Sequence, residues 1–305
     1  MKFIIALPDH DYFLWQMLVQ INNLKKMDYD KDTIYVIGKT SIQKSKRLTN
    51  IIRKNKTQCS FYVYNDDRTE YTYSSSTRPN ILKKLFRDRP DLEKEAIFYL
   101  DPDVIFKKKI RLSDLEKNDT WYLSDTRSYI DSKYIKSKSE ELFVRMCEVV
   151  GIDPKIVEEN DPNAGGAQYI MKNVTAEFWE KVERDSVELY KLMTTTQQEY
   201  CPEFPIQAWT ADMWAVLWNA WLAGHETKII KRLDFMWATD SITKWDKTSI
   251  YHNAGAVGDS DELFVKTKYQ KSPFNQEIKC SDKFCSYKYL EEVKETEKNF
   301  ENIIF

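Results

Sequence analysis

Residues 96–106, AIFYLDPDVIF, carry two carboxylates at i and i+2, Asp101 and Asp103, with apolar residues on both sides. If the segment is a strand, alternate side chains leave it on one face, and the pair offers two hard oxygen donors to a single divalent cation. Pro102 between them removes a backbone donor and disfavours helix at Asp101, which fits the point where a buried strand leaves its sheet. In open α/β sheets ligands lie beyond the carboxyl ends of the strands, where such a pair can stay hydrated or metal-bound. The same D-x-D spacing is also common in plain turns, so the neighbouring residues must decide.

Four further features bear on it. His252 follows an apolar, strand-like run and precedes Asn-Ala-Gly; an imidazole at a strand end is an acceptable ligand beside two carboxylates for Mn²⁺, and equally an ordinary structural histidine. Only seven glycines occur in the chain, and Gly165, Gly166, Gly255 and Gly258 fall in two segments, PNAGGAQYIMKN and SIYHNAGAVG. A chain so sparing with glycine places it where the backbone takes positive φ or approaches something closely, so both segments read as ligand-facing loops or, more plainly, as turns. Asp212 sits in AWTADMWAVLWNAWLAG, a helix apolar nearly all round. A carboxylate there needs a partner or a task, or else it satisfies free amides in the helix's first turn. Arg78 precedes Pro79 one connection upstream of the acidic pair, where a guanidinium can meet phosphate or simply face solvent. His225, just after Gly224, reads as a helix C-terminal cap.

The elements that must position these residues alternate. FIIAL, a helix from about 10 to 25, TIYVIG, a helix from about 42 to 53, CSFYVYN, a helix around 80–86 and AIFYLDPDVIF form a β-α-β-α-β-α-β series. That series predicts an α/β fold with a mostly parallel sheet and helices on both faces. Beyond it come a strand at 120–125, a helix at 140–150, a strand at 166–172, helices at about 176–193 and 209–223, and strand-like TKII and SIYH. Residues after 258 are polar and Lys/Glu-rich with one helix near 287–300, and they read as an appendage. No GxGxxG and no GxxxxGK[ST] is present, so phosphates must be handled by metal and cations.

Composition bounds the function. The 305 residues are 42% hydrophobic, 14% aromatic and 31% charged, with a formal charge of −2, which suits one globular core and gives no overall basic excess for nucleic acid. The clusters Lys44, Lys46, Arg47, Arg53, Lys54, Lys56 and Lys107, Lys108, Lys109 read as solvated faces. The first residues are too briefly apolar for an export signal, and the longest apolar window, 213–223, is about half the roughly 20 residues of a membrane span. Five scattered cysteines without zinc-type pairs suit a reducing cytoplasm, Cys280 and Cys285 being either free thiols or a pair.

Taken in order, the arginine-led helix (Arg78), YLDPDVIF, NAGGAQYIMKN, the helix with an inward acid (Asp212) and HNAG resemble the GT-A nucleotide-sugar glycosyltransferases, especially family-8-like retaining enzymes and plant-type arabinosyl and serine galactosyltransferases. The resemblance implies a GT-A type α/β fold, with a catalytic domain over 1–257 (1–106 the nucleotide-binding part, 107–257 the acceptor and sugar part) and an appendage over 258–305. It further implies Mn²⁺ or Mg²⁺ on Asp101, Asp103 and His252, a UDP-sugar donor touched by Arg78, a sugar pocket lined by Asn163, Gly165, Gly166 and Gln168, and Asp212 beside the reacting carbon. The D-Q pair of family 8 is here Asp212-Met213, and the family's terminal lysine-tryptophan signature is absent. The Lys-, Asn- and Ile-rich composition also resembles bacteriophage glycosyltransferases that decorate hydroxymethylated bases, which implies modified DNA as acceptor in the host cytoplasm. A saccharide, lipopolysaccharide or protein hydroxyl is the alternative acceptor. A retaining outcome is the one the resemblance implies, while an inverting one would make Asp212 a general base. A nucleotidyltransferase built on the same acids would need a third carboxylate in place of His252, and in a binding module the acid pair would be only a turn.

Overall fold

The computed structural model describes residues 1–256, 258 and 260–300. Ten strands run in the order β1 (Lys2–Pro8), β2 (Thr33–Lys39), β3 (Ser60–Asn65), β4 (Ile97–Tyr99), β5 (Val104–Phe106), β6 (Trp121–Asp125), β7 (Gly165–Met171), β8 (Thr227–Ile229), β9 (Phe235–Trp237) and β10 (Ile250–His252). Interleaved with them are α1 (Asp11–Lys26), α2 (Lys46–Asn55), α3 (Thr77–Asp88), α4 (Arg127–Ile130), α5 (Ser132–Lys136), α6 (Glu140–Val150), α7 (Pro154–Asn160), α8 (Ala176–Thr195), α9 (Gln197–Tyr200), α10 (Ala211–Leu222) and α11 (Ser286–Asn299). Seven strands form a sheet in the order β3-β2-β1-β4-β7-β6-β8, and β5-β10-β9 form a second, small one. This is the α/β class expected, a sheet flanked by helices. Pairing is parallel for β1-β2, β2-β3 and β6-β8, whereas β7 runs antiparallel to both β4 and β6. No helix among the described residues is long and apolar enough to cross a membrane.

The chain divides into two compact units, one of residues 2–65, 100–112 and 232–305, the other of residue 1, 66–99 and 113–231. In the first, β1 and β2 are almost wholly buried, as expected of strands that read as continuous apolar runs covered on both faces. Helix α1 buries Trp15 and Val19 in a cluster with Met236 of β9, Tyr251 of β10 and, from beyond residue 258, Phe264, Val265, Cys285, Tyr289, Leu290 and Val293. The C-terminal residues thus belong to this core.

In the second unit α8 packs against α3, α6 and α10. Helix α8 starts at Thr175, whose side chain accepts the amide of Phe178, and α6 starts likewise at Ser139 and stops at Gly151 with φ +77°, the left-handed geometry that favours glycine there. The end of α10 corrects the reading of His225. The cap is made by the backbone, with Gly224 at φ +82° and the His225 amide donating to the Ala220 carbonyl. The imidazole instead stacks on Trp121 at 4.7 Å, where burial lowers its pKa, so it packs as a neutral ring.

Candidate active site

AIFYLDPDVIF is two short strands in different sheets, β4 and β5, with the acids in the turn between them. The expectation that Asp101 and Asp103 share one strand face is therefore corrected. Val104 N–H donates to the Asp101 carbonyl at 3.3 Å, which closes a four-residue turn with Pro102 at its second position, where a pre-set φ is favoured. Two buried amides of α1 clamp it. Gln20 Nε2 donates to the carbonyls of Asp101 at 2.7 Å and Val104 at 3.0 Å, while its Oε1 accepts from the Tyr35 hydroxyl at 3.1 Å. Asn23 accepts from the Phe106 amide at 2.7 Å and donates to its carbonyl at 3.0 Å. A side-chain amide here does for β5 what a neighbouring strand does elsewhere, and leaves few of its backbone groups unsatisfied.

Strand β10 pairs antiparallel with β5, His252 facing Val104, and parallel with β9, His252 facing Trp237. The register sets the imidazole next to the acid turn. Its Nε2 lies 3.6 Å from Asp101 Oδ2 and 3.3 Å from Asp103 Oδ1, and one ligand atom from each of the three residues lies within 4.8 Å of the others. Neighbouring ligands on an octahedral ion with bonds of 2.0–2.1 Å are about 3 Å apart, so the three atoms fit one cation with a small inward shift. Two hard oxygens and one imidazole suit Mn²⁺ or Mg²⁺. Asp103 is 3% exposed in its side chain and Asp101 28%, which leaves an open side toward Asp101.

Lys266 completes the cluster, donating from Nζ to Asp103 Oδ2. Burial works to raise the Asp103 pKa, but the charges of Lys266 and His252 outweigh it and hold the carboxyl well below the usual carboxylate range. Sequence reading missed Lys266, because one lysine in a polar, lysine-rich stretch carries no spacing signal. Gln20 and Asn23 did leave a signal. With Gln16 they fall at i, i+4 and i+7 of the helix, among its apolar residues, one face of buried amides in need of partners.

The other unit holds the remaining candidates. Asp212 lies in the first turn of α10, and its carboxylate takes side-chain donors: the Tyr73 hydroxyl on Oδ1 at 2.6 Å and Arg78 Nη2 on Oδ2. Its own amide donates to the Tyr73 oxygen at 3.1 Å, and the Trp209 carbonyl, 2.8 Å from that oxygen, is a second acceptor for its one proton. Burial first, then the adjacent Asp212, holds the Tyr73 pKa well above its ordinary value, so Tyr73 stays a hydroxyl donor. Arg78 is thus joined to Asp212, a pairing the sequence did not suggest.

Gly165 and Gly166 open β7 without positive φ. A Cβ on Gly165 would lie 2.6 Å from the Ser124 carbonyl, and one on Gly166 2.6 Å from Met213 Cε and 2.7 Å from the Tyr169 hydroxyl, so both serve close approach within the fold. Positive φ falls instead on Ala167, at +64°, where the β6-β7 register shifts between Leu123 and Ser124. Gln168 is fully buried and accepts from Ser124 Oγ at 2.7 Å. Asn163 holds β8, accepting from the Ile229 amide at 3.4 Å on its side chain and from Thr227 Oγ1 at 3.2 Å on its carbonyl. Of the residues expected at the metal, all three converge; among those expected at the sugar, Arg78 meets Asp212, while Asn163 and Gln168 make structural bonds.

No family model matches the chain, and no curated protein does. Among solved structures it is similar to the apo structure of the bifunctional glycosyltransferase WbbM, with a TM-score of 0.51 at 10% identity over 98% of this chain and 51% of that one. The chain therefore spans about half the length of WbbM. Lower scores relate it to the galactosyltransferase LgtC in complex with donor and acceptor sugar analogues, TM-score 0.48 at 10% identity over all of both chains, and to the apo form of mouse xyloside xylosyltransferase 1, 0.42 at 11% identity over 83% of this chain and 97% of that one. At such identities the likeness is one of fold, and the WbbM match supports it.

Proposed function

We propose that the protein is a metal-dependent glycosyltransferase that moves a sugar from a nucleoside-diphosphate sugar, UDP-linked, to an acceptor hydroxyl. The observation that carries this reading is the convergence of Asp101, Asp103 and His252 from a turn and a separate strand. Two carboxylates and an imidazole would hold Mn²⁺ or Mg²⁺, and a bound divalent ion acts as a Lewis acid that stabilises the charge left on a departing diphosphate. Asp103 would offer the ion the oxygen that Lys266 does not hold. His252 would offer Nε2, unprotonated as any imidazole ligand must be.

Asp212 supplies a fixed negative charge beside the anomeric carbon as it becomes oxocarbenium-like, and Tyr73 and Arg78 hold the carboxylate in place. With a donor on each oxygen it suits an electrostatic role better than that of a base that must reach a proton, which favours a retaining outcome. Catalytic work is assigned to residues 1–257, with 1–106 serving the nucleotide and 107–257 the sugar and acceptor, and residues 258–305 support the metal-bearing turn through Lys266. Nucleotidyl transfer is the weaker reading, because no third carboxylate joins the acid pair among the described residues.

The test is release of nucleoside diphosphate from UDP-, GDP- and CDP-sugars with Mn²⁺, with and without chelator, and with saccharides or hydroxymethylated DNA as acceptors. We expect turnover with a UDP-sugar that chelation abolishes and that Asp101→Asn or His252→Ala lowers at least about 100-fold, the scale of losing a Lewis-acid contact. Turnover with no donor sinks the reading, and turnover that DNA never stimulates removes DNA as acceptor. The anomeric configuration of the product, read by NMR, decides retention.

A further inference from the structure

Within the unit formed by 66–99 and 113–231, the large aromatics are mostly buried: Trp121, Trp179, Trp214 and Trp218 are at most 2% exposed. Trp209 and Phe204 stand out at 58% and 72%, with Tyr71 at 56% elsewhere in the unit. Both lie on the loop 201–210, CPEFPIQAWT, and this loop is tied down. The Gln207 amide donates to the Tyr134 hydroxyl at 3.1 Å, Thr210 Oγ1 donates to the Gln207 carbonyl at 2.7 Å, and the Tyr73 oxygen lies 2.8 Å from the Trp209 carbonyl. Ile206 and Cys201 are buried, and Pro202 and Pro205 restrict the backbone further. Two aromatic side chains are therefore held out into solvent by a pre-ordered segment, which cuts the entropy lost when something binds them.

What binds follows from position and charge. Trp209 lies in the 3₁₀ turn Ala208–Thr210 that runs straight into α10, and residues three apart in such a turn lie one above the other. Trp209 and Asp212 thus stand one turn apart on the same side of the element, and the Tyr73 oxygen lies against the Trp209 backbone carbonyl and the Asp212 carboxylate. Across 201–222 the only charged residues are Glu203 and Asp212, and the ammonium of Lys138 is engaged over the rings of Tyr134 and Phe204, 5.3 and 5.9 Å from their centres. With Asp212 paired to Arg78 and Lys138 over Phe204, the segment is close to neutral and offers no run of cations to a polyanion. It suits a neutral, polyhydroxylated ring, whose C–H face packs on an aromatic surface while its hydroxyls find polar partners.

We infer that Trp209, with Phe204 on the same loop, forms a subsite for a saccharide acceptor, the sugar ring lying on the indole next to Asp212. The inference rests on the glycosyl-transfer reading above and adds to it the class of acceptor. Trp209 is a binding residue here, with no proton to move.

The test is direct binding, measured by saturation-transfer NMR and surface plasmon resonance, of glucose-, galactose- and mannose-terminated oligosaccharides and of single-stranded and duplex DNA. The proteins compared are the full chain, Trp209→Ala, Trp209→Phe and Phe204→Ala, each first shown to melt like the parent. We expect at least one oligosaccharide class to bind, about tenfold or more weaker in Trp209→Ala and within a few-fold of the parent in Trp209→Phe, the size of one lost aromatic contact. In the transfer assay Trp209→Ala should raise the acceptor KM by a similar factor while the donor KM moves less than about twofold. Absence of oligosaccharide binding, equal binding by Trp209→Ala, or Trp209-dependent binding of DNA alone overturns the inference. Donor turnover with no effect of Trp209 fails the subsite and leaves the function standing; Trp209-dependent oligosaccharide binding with no donor turnover does the reverse.

Discussion

Asp103 divides its two oxygens between Oδ1, 3.3 Å from His252 Nε2, and Oδ2, which accepts from Lys266. The lysine has two opposing effects on a cation at this site. It fixes the carboxylate in a single orientation, worth roughly 0.5–1 kcal/mol in side-chain freedom, and it sets a like charge close to the ion. Unit charges ~4 Å apart at an effective dielectric of 20 repel by about 4 kcal/mol, and even discounted for the partial exposure of Lys266 this exceeds the ordering effect. Lys266→Met is therefore expected to bind Mn²⁺ about tenfold more tightly by calorimetry, while its metal-free form becomes less stable because Asp103 is left buried without its cation. Weaker Mn²⁺ binding in this variant would mean that orientation wins.

The acid turn is built by α1, and the element carries its own prediction. Replacing Gln20 by Leu leaves the Asp101 and Val104 carbonyls and the Tyr35 hydroxyl without the partner they now share. Each buried, unsatisfied group costs about 1–3 kcal/mol, so the variant should lose roughly 2–4 kcal/mol in denaturant titration and bind Mn²⁺ more weakly through a loosened turn. A midpoint and a metal affinity both unchanged would show that the clamp is idle. Elements of this kind also set how much was legible in the sequence. Apolar runs bounded by turn residues located β1, β2, α8 and α10, because those segments bury regular faces and their period survives in the residue order. AIFYLDPDVIF reads as one strand but divides at Pro102, since its two halves pair with different strands and pairing partners leave no mark in a local window. The grouping of Asp101, Asp103 and His252 was legible because chemistry restricts which residue types can serve a metal. Lys266 and the Arg78–Asp212 pair were not, since each joins a common residue to a partner over 130 positions away.

At the scale of the whole chain, the Asp101, Asp103 and His252 cluster lies within one unit and Asp212 with Arg78 within the other. Asp212 makes its bonds to Tyr73 and Arg78, and its loss is expected to leave the Mn²⁺ affinity of the donor-free protein unchanged in calorimetry. The polar composition of residues 258–305 suggested an addition to the catalytic domain, yet their apolar minority is placed with care. Tyr289 and Val293 are fully buried and Leu290 is 7% exposed. Buried Glu292 draws three donors from α1: Asn22 at 3.0 Å, Asn23 at 3.3 Å and Lys26 at 2.7 Å. Asn23 is also the residue that holds Phe106 at the end of β5, so α11, α1 and β5 form one chain of contacts. Burying three such side chains is worth about 1.5–3 kcal/mol each, roughly 5–9 kcal/mol together, against a total stability of about 5–15 kcal/mol for a typical domain. Ending the chain before Ser286 should therefore abolish cooperative unfolding of the unit that carries Asp101, Asp103 and His252 and, with it, Mn²⁺ binding. Hydrogen exchange should locate the loss in α1, β5 and β10, whose packing partners are removed, and leave α3, α8 and α10 protected as in the full chain. A shortened protein that melts cooperatively and still binds Mn²⁺ with parental affinity would show that α11 covers the core without sustaining it.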